Sequence, residues 1–339
     1  MNSRLGLALL FALAFCFAIS PAASAQQTTS LSNSQMPSVV TVAPEAQPSD
    51  HFSAEAATNA YLAQIPAAAQ ARSDAYFEGG YWLILWDFLL AVVVYWVLLR
   101  IDWSARMGKF AERLTRVPVL QDFLYWIQFI LITFVLTFPL TVYEGFFREW
   151  KYGLATQTFG PWMGDQIKGL LIAIILGGIL AVVLLQIVRW LPNTWHIWGA
   201  VVPTLFMIVG IMIAPAYLLP LFNKVSKMDD PKVTQPILPM ASANGIPAHD
   251  VFEVDASRQT TRMRANVSGF GKTMRITLND NLLCRGSPGE IQSVMGHEMG
   301  HCVLHHIYKD VLFLFVVTVA LFALLRWGFQ YSLARWGAK

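Results

Sequence analysis

Five long apolar runs constrain the fold of this chain more than any other feature. Each of the first four is long enough to cross a hydrocarbon core about 30 Å thick as a helix, and the fifth is shorter. Tryptophan and tyrosine gather near the ends of the runs, as is typical of the membrane–water interface. The pattern predicts membrane spans at about 81–99, 123–142, 169–188, 198–221 and 311–325.

The composition also indicates a membrane protein. Of the 339 residues, 55% are hydrophobic and 13% are charged, whereas a soluble domain has about 25% charged residues. The net charge of +3 is too small and too dispersed to indicate a nucleic-acid partner. We therefore expect a mainly α-helical protein that has the lipid bilayer as a partner and does not bind nucleic acid.

The N-terminal region resembles a secretory leader followed by a tail. A basic residue, an apolar core and small residues at 23–25 predict a signal peptide over residues 1–25. Residues 26–79 are rich in Ala, Gln, Ser and Thr and predict a flexible periplasmic tail, with a short Ala-rich helix near 54–71.

Charge in the loops predicts the orientation of the spans. The loop after the first run contains more basic than acidic residues, and the positive-inside rule places it in the cytoplasm. Counting crossings through an N-terminal membrane domain of four spans (80–221) then places 222–310 in the periplasm of a bacterial inner membrane. Residues 311–339 would form the last span and a cytoplasmic end. The basic residues of the loop are Arg100, Arg106, Lys109, Arg113 and Arg116, against Asp102 and Glu112.

The polar segment 222–310 has the pattern of a small α+β unit. A helix is predicted over 231–244, where Gly245 and Pro247 follow and stop it. Strands are predicted at 251–255, 261–268 and 274–278, with a turn at 269–272 between the last two. A strand beside a helix in such a unit can hold an extended peptide through backbone hydrogen bonds.

A metal-binding motif lies at the end of this segment. His297 and His301 are four residues apart, so on a helix both imidazoles lie on one face and can reach one metal ion. Glu298 lies beside the first histidine, where its carboxylate can accept a proton from a zinc-activated water. Ser287 and Glu290 predict a capping box at the start of this helix. The alternative is a pair of core histidines on a buried helix.

Several motifs together resemble the type I CAAX prenyl protease family of integral-membrane zinc metalloproteases, which has the heat-shock membrane proteases as relatives. The motifs lie at 143–148, 152–153, 214–215, 220–224, 255–258, 269–272, 275–276, 278–283 and 297–301. The resemblance implies a zincin-type peptidase segment at 222–310 that binds one Zn²⁺ and cuts a peptide or protein substrate.

The resemblance also implies roles for individual residues. His297 and His301 would be zinc ligands, and Glu298 would be the general base. The strand around Ala265 and Asn266 would align the substrate, although the family's Asn-Ala-Tyr pattern is here Arg-Ala-Asn. His306 would be a catalytic donor near the site, acting on the oxyanion, or else one of two histidines near a helix C-terminus.

One departure from the family concerns the third zinc ligand. A catalytic zinc takes three protein ligands, and the family takes its third from a Glu in a Glu-x-x-x-Asp motif on a later helix. No Glu follows Glu298 in this sequence, and Asp310 is the only later acid. We therefore expect the chain to be a C-terminally truncated copy of a longer protease. The alternative is a non-catalytic membrane protein that binds peptides or partners. Outside the leader, Cys284 and Cys302 leave either one disulfide or two free thiols.

Overall fold

A computed structural model describes residues 43–336, apart from positions 48, 51 and 270. The predicted signal peptide and the predicted tail as far as residue 42 lie outside the described residues. Helices dominate the part that is described, and a small sheet lies between the fourth and fifth apolar runs.

The α-helices are numbered along the chain. They are α1 (Ala54–Leu62), α2 (Ala67–Arg100), α3 (Trp103–Leu114), α4 (Pro118–Lys151), α5 (Phe159–Trp190), α6 (Trp195–Phe222), α7 (Pro231–Ala243), α8 (Asp280–Arg285), α9 (Pro288–Val303) and α10 (His306–Trp336). Helices α4 and α6 each contain a wider π turn, at Tyr143–Arg148 and Ala214–Leu218. Pro139 precedes the first of these turns and Pro215 lies in the second. Since proline has no N–H to donate, the regular hydrogen-bond ladder is interrupted there.

Five of these helices, α2, α4, α5, α6 and α10, are long and apolar enough to cross a membrane. The five predicted spans are therefore confirmed, and each of these helices extends beyond the predicted span at both ends. Helix α2 begins at Ala67, inside the segment predicted to be a flexible tail as far as residue 79, because its Ala-rich first turns favour helix. Helix α10 begins at His306 rather than near 311.

Close contacts between small and aromatic residues join the spans. A Cβ added at Gly178 of α5 would lie 2.3 Å from the ring of Phe123 in α4. A Cβ added at Gly199 of α6 would also lie 2.3 Å from a ring, that of Phe322 in α10. Both glycines therefore let an aromatic ring approach the backbone of a neighbouring span, as small residues do in membrane helix pairs.

The sheet has four strands in the order β1-β2-β4-β3. Strands β2 and β4 are parallel, and the other two pairs are antiparallel. The three predicted strands and the helix at 231–244 are confirmed, whereas β1 was not predicted because three residues are too few to show an alternating pattern. In the turn after β3, Gly269 has φ +101°, a region that favours glycine. The strands are β1 (Val225–Lys227), β2 (Val251–Val254), β3 (Ala265–Ser268) and β4 (Arg275–Asn279).

A hydrophobic core fills the space between the sheet and helices α7 and α9. Residues from both helices and from β2 and β4 contribute to it, and Met295 and Met299 of α9 are 0% and 1% exposed. The helix that carries the metal motif therefore packs on the sheet through one face, and the two histidines lie on the opposite face. Other buried members of the core are Ile237, Ala241, Val251, Ile276 and Leu278.

The chain breaks between α9 and α10 just after the metal motif. Helix α9 ends at Val303, His305 has φ +56°, and His306 is the first residue of α10. His305 and His306 therefore both lie just after the C-terminus of α9, and His306 already belongs to α10. Its position at the start of a new helix turns its ring back toward α9, as the distances below show.

Candidate metal centre

A capping box begins α9, as predicted. The hydroxyl of Ser287 accepts a hydrogen bond from the N–H of Glu290 (3.3 Å), and the carboxylate of Glu290 accepts one from the N–H of Ser287 (2.7 Å). These hydrogen bonds to Ser287 hold the pKa of Glu290 below its ordinary value. The cap fixes where the helix starts, and thereby which residues of the motif face the same side.

The two predicted zinc ligands are brought together. The Nε2 atoms of His297 and His301 lie 3.2 Å apart, with their rings inclined at 74°. Two nitrogens bound tetrahedrally to one zinc at about 2.0–2.1 Å would be separated by about 3.3 Å. The spacing of the two imidazoles therefore fits a shared zinc ion without rearrangement of the helix, and a core-histidine pair does not explain why His297 is exposed.

Glu298 lies on the same helix, half-buried beside the two histidines. Burial raises the pKa of its carboxyl above the ordinary value, while the neighbouring His301 and His297 act in the opposite direction. Cys302, one turn further on, also has a raised pKa because of burial and the nearby Glu298. Both Cys302 and Cys284 are free thiols, so the disulfide alternative is not what the structure contains.

His306 approaches the motif from the next helix. Its Nδ1 lies 2.7 Å from Nδ1 of His301, and the two rings are inclined at 73°. This contact involves the ring nitrogen of His301 that points away from His297. The position suits a residue that orients a metal ligand better than one that contacts the substrate oxyanion, the role that the resemblance implied.

The predicted substrate strand is β3, which packs against α9 and forms one edge of the sheet in the described structure. The C=O of Arg264 accepts a hydrogen bond from the N–H of Asn279, the residue opposite it in the antiparallel register. Hydrogen-bonded and non-hydrogen-bonded residue pairs alternate along an antiparallel ladder. The backbone N–H and C=O groups of Ala265 and Val267 therefore point away from β4, toward the open edge of the sheet. Asn266 instead directs its backbone toward β4 and exposes its side chain.

The described residues place no third candidate zinc ligand beside the two histidines. Within residues 43–336 as described, no group of three His, Cys, Asp or Glu side chains is placed to hold a metal ion. Asp310 is exposed on α10, one turn beyond His306, and does not complete such a group. The described residues therefore bring together two histidines and an adjacent carboxylate.

Two polar networks attach the peptidase segment to the membrane helices. In the first, Arg262 of the loop before β3 forms an ion pair with Glu149 at the end of α4 (2.8 Å). The same guanidinium donates to the hydroxyl of Tyr76 in α2 (2.7 Å), which in turn donates to Glu149 (2.7 Å). These three side chains join α2, α4 and the loop that leads into the substrate strand.

The second network centres on Asp165 in α5. Its carboxylate accepts hydrogen bonds from Gln157 (2.7 Å) and Gln259 (2.9 Å) and pairs with Lys168 (3.1 Å). Backbone hydrogen bonds between 154–156 and 259–261 run beside it. Neither network was predicted from the sequence, because the partners are far apart along the chain. Their only signal was that Glu149 and Asp165 are acids close to apolar runs.

Comparison with known proteins decides the family. A family model described as the CAAX prenyl protease N-terminal, five membrane helices, matches residues 51–224, and the model of peptidase family M48 matches residues 227–337. The chain belongs to peptidase family M48. In the described structure four candidate spans lie within the first match, one fewer than the description of that model states.

Similar proteins occur in bacteria and eukaryotes. The chain is 29% identical over 227 residues to the uncharacterized metalloprotease YhfN of Bacillus subtilis. The match covers 67% of this chain and 53% of the relative. It is 31% identical over 187 residues to CAAX prenyl protease 1 of Saccharomyces cerevisiae, covering 55% of this chain and 41% of the relative. The chain thus spans about half the length of these M48 relatives.

A solved structure supports the same fold. The crystal structure of S. mikatae Ste24p matches with a TM-score of 0.65 and 25% sequence identity, over 76% of this chain and 62% of that one. The M48 protein is therefore a multi-pass membrane protein with a small mixed-sheet peptidase segment, as the sequence predicted. Membership in a metallopeptidase family also agrees with the histidine geometry described above.

Proposed function

We propose that this M48 protein is a membrane-embedded zinc metalloendopeptidase. The observation that carries the proposal is the pair of imidazoles on α9, whose facing nitrogens, those of His297 and His301, lie 3.2 Å apart with Glu298 beside them. Zinc, when bound by this pair and a third ligand, supplies a water that ionises near neutral pH. The remaining chemistry belongs to residues of the chain.

Glu298 is the general base in this proposal. Its carboxylate takes the proton of the attacking water and passes it to the leaving amine, so that the peptide bond is broken without build-up of an expelled amide anion. His306 holds the ring of His301 through the Nδ1 contact, as partners of metal-bound histidines commonly do. It is therefore a positioning residue.

The substrate is proposed to lie along β3 in an extended conformation. The outward-facing N–H and C=O groups of Ala265 and Val267 would pair with the peptide backbone, and the exposed side chain of Asn266 would contact its side chains. Main-chain pairing binds many sequences and places a peptide bond close to α9, because β3 packs on that helix. This arrangement suits an endopeptidase.

The side of the membrane and the substrate class are also proposals. The basic loop between the first two spans favours a site that faces the periplasm of a bacterial inner membrane. The relatives named CAAX prenyl protease 1 suggest processing of prenylated C-terminal peptides. A periplasmic site instead favours cleavage of membrane or misfolded periplasmic proteins, and we propose this second class.

The test uses the purified full chain with zinc, a fluorogenic peptide and a prenylated CAAX peptide. We expect Glu298→Gln to lower cleavage by about 10²–10⁴-fold and to leave zinc content unchanged, because the residue transfers protons and is not a ligand. His297→Ala should lose both zinc and cleavage. Glu253→Gln is the matched control, since Glu253 lies on β2 and should behave as the wild type. Undiminished cleavage by the Glu298 variant would refute the mechanism.

The lack of a third ligand in the described residues favours one other function, that of a non-catalytic peptide-binding membrane protein. In that case the wild-type chain would bind an extended peptide at β3 and would not cleave it, even with excess zinc. Zinc content distinguishes the two functions independently of turnover. One zinc retained per chain after dialysis against a weak chelator favours the enzyme, and no retained zinc together with peptide binding favours the binding protein.

A further inference from the structure

We infer that helix α3 is a docking surface for the headgroups of anionic phospholipids. This helix follows the first span and precedes the second, so it lies where both spans leave the membrane on the same side. The inference concerns a face far from the metal motif in sequence and does not depend on the proposed protease activity.

The first observation is that one stripe of α3 fixes the helix to the spans. Ser104, Met107 and Ala111 are spaced i, i+3, i+7 and are 8%, 5% and 1% exposed. The hydroxyl of Ser104 lies 2.8 Å from that of Tyr125 in α4, and the side chain of Gln128 donates to the C=O of Met107 (3.2 Å). Helix α3 is thus held against the side of α4, and its remaining faces have fixed directions.

The second observation is an exposed apolar stripe next to the buried one. Trp103, Phe110 and Leu114, at i, i+7, i+11, are 38%, 50% and 58% exposed. At 100° per residue these three positions lie within about 40° of one another on the helix circumference. Exposed large apolar side chains on a helix that adjoins two membrane spans indicate contact with the acyl region of the bilayer.

The third observation is a basic stripe on the other side of the apolar one. Arg106, Lys109 and Arg113 are again spaced i, i+3, i+7, and all three are exposed. Arg100 at the end of α2 and Arg116 after α3 extend the positive charge at both ends. The order around the helix is therefore buried, apolar and basic, the order expected of a helix lying in the plane of an interface with its cations among lipid headgroups.

The chemistry of the basic stripe selects the lipid. Each Lys or Arg near an anionic membrane surface adds to the binding energy, whereas a zwitterionic headgroup has no net charge to attract them. Three such residues together correspond to about a 100-fold preference for the anionic surface. The apolar stripe beside them adjoins two membrane spans, so its side chains can enter the acyl region of the same bilayer whose headgroups the cations contact.

The test measures lipid binding by the full chain in neutral detergent micelles. Energy transfer from tryptophan to dansyl-labelled phosphatidylglycerol or phosphatidylcholine gives the apparent affinity for each lipid. We expect the triple variant Arg106→Gln, Lys109→Gln, Arg113→Gln to bind phosphatidylglycerol about 100-fold more weakly and phosphatidylcholine unchanged. The matched control removes three exposed lysines elsewhere, Lys224→Gln, Lys232→Gln and Lys309→Gln, and should bind as the wild type.

A second readout uses the wild type alone, so that a folding defect cannot imitate the result. Higher ionic strength should weaken binding of phosphatidylglycerol, because exposed charges are screened within about a Debye length. The inference would be overturned if the wild type bound both lipids equally or bound phosphatidylglycerol independently of salt. It would also be overturned if the α3 variant and the lysine control lost affinity for phosphatidylglycerol equally. Displacement of phosphatidylglycerol by a single-stranded RNA oligonucleotide, in an Arg106-dependent manner, would overturn it in favour of a nucleic-acid surface.

Discussion

The ion pair between Arg262 and Glu149 offers the sharpest test of how the peptidase segment is attached to the spans. Arg262→Met removes the guanidinium that contacts both Glu149 and Tyr76 and keeps a side chain of similar length. The variant leaves the carboxylate of Glu149 with the hydroxyl of Tyr76 as its remaining partner. We expect a measurable loss of stability.

The magnitude follows from the exposure of the two side chains, 19% for Arg262 and 15% for Glu149. Fully exposed ion pairs contribute about 0–1 kcal/mol, whereas removing one partner of a fully buried pair costs about 3–5 kcal/mol. The pair lies between these limits, and the retained hydroxyl contact lowers the cost further. We therefore expect the free energy of unfolding to fall by about 2 kcal/mol.

A double-mutant cycle separates the pair from its surroundings. Glu149→Gln, Arg262→Met and the double variant are unfolded by denaturant in detergent micelles and followed by circular dichroism. The double variant should lose about 1 kcal/mol less free energy of unfolding than the two single variants lose together. The reason is that the second substitution no longer leaves a charged side chain without its partner. Lys232→Met, at an exposed position, is the control. Strict additivity, or an Arg262 variant as stable as the control, would refute the assigned coupling.

Three further predictions concern α9. Ser287→Ala should lower the free energy of unfolding by about 1 kcal/mol through loss of the cap. Because the pKa of Glu290 is lowered in the folded state, ionised Glu290 adds its full stabilisation above the ordinary pKa of 4.5, and this stabilisation is lost as pH falls through the lower folded pKa. The loss of stability caused by Ser287→Ala should therefore be smaller in acid. Met295→Ala should cost about 2–5 kcal/mol in the same unfolding measurement, because this side chain is fully buried. Iodoacetamide should label Cys284, which is exposed, faster than Cys302, because burial raises the pKa of the Cys302 thiol. Mass spectrometry of timed samples measures the two rates, and faster labelling of Cys302 would contradict the prediction.

The sequence predicted those parts of the fold that rest on local patterns. Hydropathy located the spans. The capping box and the four-residue spacing located α9 and its two histidines, because these signals lie within one helix. The extent of α2 was missed, since hydropathy marks the apolar part of a helix and not the Ala-rich turns before it. The strand β1 was missed because it is stabilised only by its pairing with β2.

The remaining features of the site depend on contacts that no local pattern encodes. The place of His306 follows from a single left-handed residue, His305, which ends one helix and redirects the next. Arg262 contacts Glu149, which is 113 positions away in the chain, and Tyr76, which is 186 positions away. Such pairs become visible only when the chain is folded.

The last helix gives the bilayer a direct connection to the candidate metal centre. Helix α10 starts with His306 beside His301 and is held further along by the contact of Phe322 with Gly199. Its candidate span of 27 residues is about 40 Å long, longer than a hydrocarbon core of about 30 Å. The helix therefore extends beyond the core, and a change in its tilt about the Phe322 contact would displace the end that bears His306. A change of membrane thickness that alters this tilt would therefore reach the contact between His306 and His301.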